Sequence, residues 1–340
     1  MSRLVLRHGL VDSVLSSRGS VLKVGVSVSG RLRSAISYTD LTGPIACGDE
    51  VIVNTQAQDI GLSSGGYDIV HVNLTRGLAN ESEGHAHVMK LNYTSLQHAV
   101  SPLEEKRLTV SWPLDLPVAV LALHGQLGPV VWQARKRAPD ARIGYVQTEG
   151  GALCGQLSEL VAELLDRGLI CDHITCGQSF GGWREAVTVP GALEAAARRL
   201  GWDSAICGPG PGIVGSSSAL GHGGLVALDT VHASLALGCN TVLVPRMSDS
   251  DPRPRHRGVS HHTQTVLDLL LAPVTVAVPA GDFGEISASH PTVVGETDVD
   301  GYSACGLSDK TMGRGIYEDQ LFFQAALAGG DVLGGEINAL

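Results

Sequence analysis

Over the first 75 residues, apolar positions alternate with polar ones or run together at strand length, and no helical period appears. Residues 20–29, 49–55 and 67–73 carry this pattern, with turn residues at Ser29-Gly30, Gly43-Pro44, Gly48-Asp49 and Gly65-Gly66 between them. Alternation bounded by such residues predicts strands, so residues 1–75 read as a small β-barrel or sandwich. Residues 76–115 are rich in Glu, His, Asn and Pro and read as a connecting segment. From residue 116 to 340 the pattern changes. Apolar runs at 117–123, 142–147, 172–176, 203–207, 240–244 and 274–278 predict strands, and helical patterns at 130–137, 155–167, 191–200, 225–237 and 260–271 lie between several of them. One more amphipathic helix is expected near 316–328. Strand–helix alternation of this kind builds βαβ units. The expected fold is therefore α/β, with a mostly parallel Rossmann-like sheet and helices on both faces, behind the β-rich unit.

Every unusual motif of the second part follows a predicted strand. His124-Gly-Gln-Leu-Gly128 follows the first, Thr148-Glu-Gly-Gly151 the second, Gly177-Gln-Ser-Phe-Gly-Gly182 the third and Gly208-Pro-Gly-Pro-Gly-Ile-Val-Gly-Ser-Ser-Ser218 the fourth. In a parallel sheet such loops share the carboxyl edge, where open α/β sheets place their ligands. The densest signal follows the fifth strand. Arg, Asp or His fill nine of the seventeen positions from Arg246 to His262, in a chain only 17% charged.

Each loop offers chemistry and a plainer alternative. Gly208, Gly210, Gly212, Gly215, Ser216 and Ser217 suit an anion cradle of backbone N–H groups and hydroxyls, or a tight structural turn. The stretch Gly210-Pro-Gly-Ile-Val-Gly215 matches the dinucleotide fingerprint only literally, because no acidic residue ends a strand about 20 residues later. Arg246, Arg253, Arg255 and Arg257 can clamp a phosphate or carboxylate. Asp249, Asp251 and His256 offer donors for a divalent metal such as Zn²⁺ or Mn²⁺, in a spacing that matches no standard motif. Glu149, His124, His261 and His262 are the candidate proton-transfer residues. A helix cap for Glu149 and a core position for His124 are the alternatives. Gly177-Gln-Ser179-Phe-Gly181 matches the nucleophile elbow of α/β hydrolases, but the residues after Ser179 make a poor helix. The connecting segment adds His85 and His87.

Bulk properties narrow the field. The formal charge of −10 argues against a nucleic-acid partner. Seven cysteines without a CxxC pair suggest reduced thiols and a cytoplasmic location. The most apolar stretch is broken by Asp268, Pro273 and Pro279, so no membrane span is expected. Homo-oligomerisation is left open.

With these segments laid out, the chain resembles a bacterial family of uncharacterised proteins, domain of unknown function 3866. The resemblance rests on Leu41-Thr-Gly43 with Gly48-Asp49, on Gly84-His-Ala-His-Val-Met-Lys-Leu-Asn-Tyr93, on Gly208-Pro-Gly-Pro-Gly-Ile-Val-Gly215, and most specifically on Arg253-Pro-Arg-His-Arg-Gly-Val-Ser-His-His-Thr263. It extends over nearly the whole chain and carries no reaction. The family pattern has a residue other than serine at the place of Ser179, which weakens the elbow, and an aspartate at the place of Glu149, which keeps a carboxylate there. The expectation is an enzyme, a hydrolase or transferase, that binds a small anionic molecule, phosphorylated or nucleotide-like. A serine hydrolase using Ser179 and a non-catalytic ligand sensor or assembly subunit are the rivals.

Overall fold

The structure, a computed structural model, describes residues 3–62, 65–78, 86–104, 109–110 and 112–340. The chain forms two compact units, Met1–Val100 and Ser101–Leu340.

In the first unit five strands close into a barrel: β1 (Leu6–Arg18), β2 (Val21–Val28), β3 (Arg31–Tyr38), β4 (Glu50–Asn54) and β5 (Asp68–Asn73), in the order β1-β2-β3-β5-β4. All neighbours are antiparallel except β3 and β5. Single helical turns, α1 (Thr39–Thr42) and α2 (Gln56–Asp59), join the later strands, and a short hairpin of β6 (Val88–Lys90) and β7 (His98–Val100) follows. Valines at 11, 24, 26, 28, 51, 53 and 70 fill the interior, as expected when one side of each pleated strand faces inward. The alternation predicted β2, β4 and β5. It missed β1 and β3, whose outward positions carry Arg, Ser, Leu and Val together and so blur the period.

The second unit is built on an eight-stranded sheet: β8 (Pro117–Leu121), β9 (Ile143–Thr148), β10 (His173–Thr175), β11 (Arg184–Glu185), β12 (Ser204–Pro209), β13 (Asn240–Val244), β16 (Thr275–Val278) and β17 (Thr292–Val294). Two short strands, β14 (Met247–Ser248) and β15 (Gly258–Val259), pair as an antiparallel ribbon between β13 and β16 in the chain, and β18 (Lys310–Thr311) pairs with β19 (Arg314–Gly315). The sheet order is β11-β10-β9-β12-β8-β13-β16-β17, and every pairing in it is parallel.

Alternate strand residues feed two separate cores. Val118, Val120, Ala205, Cys207 and Leu243 pack with α5 (Val189–Arg198), α6 (Val226–Ala236) and α7 (His261–Leu269). Ala119, Leu121, Ile206 and Val244 pack with α3 (Leu127–Arg137), α4 (Glu159–Asp166), α8 (Val299–Ala304) and α9 (Gln320–Asn338). After β8 the chain enters α3 on one core and moves to β9. After its neighbour β12 it enters α6 on the other core and moves to β13. Adjacent strands whose connections diverge in this way open a crevice at their carboxyl ends.

All seven cysteines are free. Among the described residues no helix is long and apolar enough to cross a membrane.

In the second unit α9 departs from its expected end and runs on through two Gly-Gly pairs to Asn338. These glycines are a packing requirement. A Cβ on Gly330 would stand 2.3 Å from the carbonyl oxygen of Val130, and one on Gly334 would stand 2.8 Å from Cβ of Arg137, so α9 lies directly against α3. Gly330→Ala raises intrinsic helix propensity by about 1 kcal/mol but forces the two helices apart at a cost of about 1–3 kcal/mol. The expected net effect is destabilisation, read as a lower denaturation midpoint. A raised midpoint would show that the contact yields.

Candidate functional site

The polar segment after β13 folds around one buried carboxylate. Asp251 is fully buried and accepts a fork from Arg253, whose Nε and Nη2 each lie 2.9 Å from its two oxygens. Arg246 and Arg314 reach its Oδ2 at 3.2 and 3.4 Å. Arg314 also donates to buried Asp319 at 2.8 Å, and Asp319 accepts from the hydroxyl of Ser248 and the backbone N–H of Asp249. Burial opposes ionisation of Asp251. The side-chain and backbone hydrogen bonds from Arg253 outweigh it and hold the carboxyl well below its ordinary value. Arg246 is 2% exposed. Burial pulls it down to about 10 against the pull of Asp251, so it stays protonated at neutral pH. Three guanidiniums meet two carboxylates here, and one positive charge is left over.

Beside Arg246 four imidazoles pack together. Ser260 caps α7 and accepts from the backbone N–H of His262, while its hydroxyl sits 2.7 Å from Nδ1 of His256. The cap sets His261 and His262 on the first turn. The ring of His262 lies 3.5 Å from that of His222, with planes 13° apart, and His261 meets both edge-on. Burial is the first cause that keeps all four neutral. Repulsion from His261 and then Arg246 adds to it at His222, and from Arg255, Arg246 and Arg253 at His261. His256 is pushed down to about 3 by burial with Arg246 and Arg253, and His262 to about 2 by burial with His222 and Arg246.

His222 carried no signal of its own in the sequence. It arrives on the glycine-rich loop after β12, which turns back on itself and bridges Gly215 to His222. The loop is held by backbone contact, because a Cβ on Gly223 would stand 2.0 Å from the carbonyl oxygen of Gly150. Four of the loop's amides bond within the loop or to Gly150. Val214 donates to Gly150, Ser216 to Gly221, Gly221 to Ser218 and Gly223 to Val214, and the Ser216 hydroxyl also bonds Gly221. Gly212, Gly215, Ser216 and Ser217 are exposed, while Gly208 and Gly210 are buried at the strand end. Besides the glycines and serines expected to cradle an anion, the loop delivers a histidine to the cluster.

The other sequence candidates divide. Arg246, Asp251, Arg253, His256, His261 and His262 come together. Arg255 is exposed, but its charge reaches His261. Arg257 is exposed and donates to the Asp251 carbonyl. His124 is engaged at both nitrogens, by the Pro209 carbonyl at 3.2 Å and the Ser158 hydroxyl at 2.7 Å. Glu149 accepts from the N–H of Gln178. Neither reaches the histidine cluster through any bond seen here. Ser179 is fully buried, donates to the Thr148 carbonyl and is followed by β11 rather than a helix, so no nucleophile elbow forms. His85 lies outside the described residues. His87 is described within the first unit.

The expected metal set of Asp249, Asp251 and His256 is not assembled. Asp249 is exposed and bonded to Ser250, Asp251 is occupied by arginines, and His256 is bonded to Ser260. Among the described residues the group that proximity offers for a metal is His222, His261 and His262, with nitrogens within 4.8 Å of one another. Donors about 2.0–2.1 Å from a tetrahedral zinc sit about 3.3 Å apart. An ion in the plane of one stacked ring would lie outside the plane of the other. Arg246 moreover donates to Nδ1 of His262 at 3.2 Å, where a metal-bound imidazole needs an acceptor for its own N–H. As arranged, the trio does not fit a divalent cation.

A model of the family described as "Protein of unknown function (DUF3866)" matches residues 34–330. The chain belongs to this family. No curated protein and no solved structure matches it. In this DUF3866 protein the matched span contains every residue of the histidine–arginine cluster.

Asp251→Asn leaves Arg246 buried with its main counter-charge gone. The expected cost is about 3–5 kcal/mol, as for other broken buried pairs, measured by chemical denaturation at neutral pH. Because the folded-state pKa lies below 3.8, the carboxylate contributes stability above that value. This stability is lost as pH falls through the folded-state pKa, so the variant should show a flatter acid limb than the parent. A cost under about 1 kcal/mol, typical of a surface pair, would show the cluster to be solvated.

Proposed function

We propose that this DUF3866 protein is an enzyme, a hydrolase or transferase, that holds the anionic group of a small phosphorylated or nucleotide-like molecule against His222, His261 and Arg246. The site would sit at the carboxyl edge of a Rossmann-like sheet. One observation carries the reading. Both ring nitrogens of His222, Nε2 of His261 and Nε of Arg246 are buried and have no hydrogen-bond partner. The Ala219 carbonyl favours the charged form of His222 without completing a bond. Buried polar groups are rarely left this way. An N–H of arginine faces an anion well and a cation badly, and the surplus positive charge of the cluster favours the same choice. The first turn of α7, nine residues long, adds its N-terminal field. Neutral imidazoles beside a bound anion can take up or give back a proton, which suits acid–base chemistry on a phosphoryl or acyl group. A separate cleft of about 540 Å³ is lined by Asp249, Arg257, Gln264, Asp282, Phe283 and Glu285 among others, and none of the four histidines nor Arg246 lines it.

The test is calorimetric titration with inorganic phosphate and a nucleoside monophosphate. His261→Ala removes one charge-assisted bond, worth about 1.5–3 kcal/mol, and should weaken phosphate by about ten- to a hundredfold with little change in thermal midpoint. Arg255→Ala acts only through the field and should weaken it less. Free His222 and His261 are depressed below 6.5, and an anion prefers imidazolium, so binding should tighten as pH falls and weaken as pH rises. Zinc binding runs the other way, since it needs unprotonated rings. Phosphate affinity equal in parent and His261→Ala would remove this site from the reading.

A further inference from the structure

The four histidines do not have equivalent surroundings, and the difference assigns separate roles within the anion site, on whose reading this inference rests. Arg246 is 2% exposed, and its Nη1 lies 3.2 Å from Nδ1 of His262. A guanidinium has donors only, so Nδ1 of His262 must accept, and a neutral ring then carries its proton on Nε2. Arg246 is itself fixed, through Asp251 on the same guanidinium and through its backbone, whose N–H donates to the Thr263 hydroxyl and whose carbonyl accepts from Ser260. His262 is thus clamped at one ring edge and through its backbone N–H to the Ser260 cap. Against its face lies His222, at 3.5 Å and 13°. Stacked rings direct their nitrogens sideways, within their planes, so neither nitrogen of His222 is spent on His262. Both remain unpartnered in a side chain only 7% exposed.

We infer that His262 is a positioning residue, a flat platform locked by Arg246 as the Nε2–H tautomer, and that His222 is the ring it presents for hydrogen bonding and proton transfer to the bound anion. In this arrangement the ribbon of β14 and β15 and the cap of α7 aim His222 indirectly. The loop after β12 supplies the side chain, and the other wall of the site supplies its orientation.

The experiment uses the full chain and inorganic phosphate. Long-range proton–nitrogen correlation on protein labelled with ¹⁵N-histidine, with His262 assigned by its loss in His262→Phe, should place the proton on Nε2 and leave Nδ1 unprotonated. His262→Phe keeps a flat ring under His222 and should hold phosphate affinity within about threefold of the parent, whereas His262→Ala removes the platform and should lose about tenfold or more. His222→Phe keeps the stack, removes both nitrogens and should lose about tenfold or more as well. A proton on Nδ1 of His262, or His262→Phe weakening phosphate as much as His262→Ala, would overturn the assignment, as would zinc binding that His262→Phe abolishes. Should the alanine variant fail to fold, the tautomer measured on the parent and assigned through His262→Phe still decides, and should His262→Phe itself fail, His262→Gln supplies the assignment. If the parent does not bind phosphate while His262 carries its proton on Nε2, the anion reading fails and the platform stands.

Discussion

The organisation of the second unit's polar edge depends on keeping Arg246 charged in a place that water hardly reaches. An isolated buried cation is costly enough to lose its charge or unfold its surroundings. Asp251 removes that difficulty, but its own burial has to be offset in turn, and Arg253 and Arg314 do this from two directions. Asp319 then balances Arg314 and ties Ser248 and the start of the ribbon to α9. The segment from β13 to α7 therefore has little freedom. The network fixes where Ser260 caps the helix, and the cap fixes His261 and His262.

The sheet topology brings the remaining ring to this point. Two connections diverging from β8 and β12 leave room above the strand ends, and the loop after β12 crosses that room with its backbone against Gly150. A side chain at either glycine would push the loop away, so the absence of Cβ atoms at Gly150 and Gly223 sets the position of His222. A glycine-rich loop at a strand end is commonly a phosphate cradle. Here the same composition also serves close backbone packing, and the histidine and arginine side chains of the cluster come from three different segments.

Much of this architecture was legible in the sequence. Strand β13 has the predicted bounds and five more sheet strands fall within a residue or two of theirs, because buried parallel strands read as continuous apolar runs. The dense Arg/Asp/His segment announced itself against a weakly charged background. What escaped did so for identifiable reasons. β11 and β17 are two and three residues long and too short to show a period. The continuation of α9 hid behind glycines that normally end helices. His222 was passed over because one histidine among glycines has no spacing partner in the chain. Its partners lie about forty residues on and meet it only through the fold. Asp249 and Asp251 looked alike in sequence, yet one points to solvent and the other anchors the cluster. Sequence pattern reports which residues are unusual; burial decides which of two neighbours takes the charge.

The completed cluster breaks the local rules of stability in one direction. It has a positive charge in excess, imidazoles that burial and guanidiniums keep neutral, and polar nitrogens without partners, all in one place. Each feature alone is unfavourable, and a sequence selected for stability would remove it by a Leu or a Gln. On the proposed reading, a bound anion would reverse all three: it would supply the missing negative charge, accept from Arg246, and raise the proton affinity of His222 and His261 so that they could donate as well. The same physical terms that destabilise the free cluster would then become binding energy, linking ligand affinity and folding stability through one set of atoms. Filling the site with a hydrophobic side chain would stabilise the fold and remove the ligand together, whereas a purely structural cluster would gain stability with nothing lost.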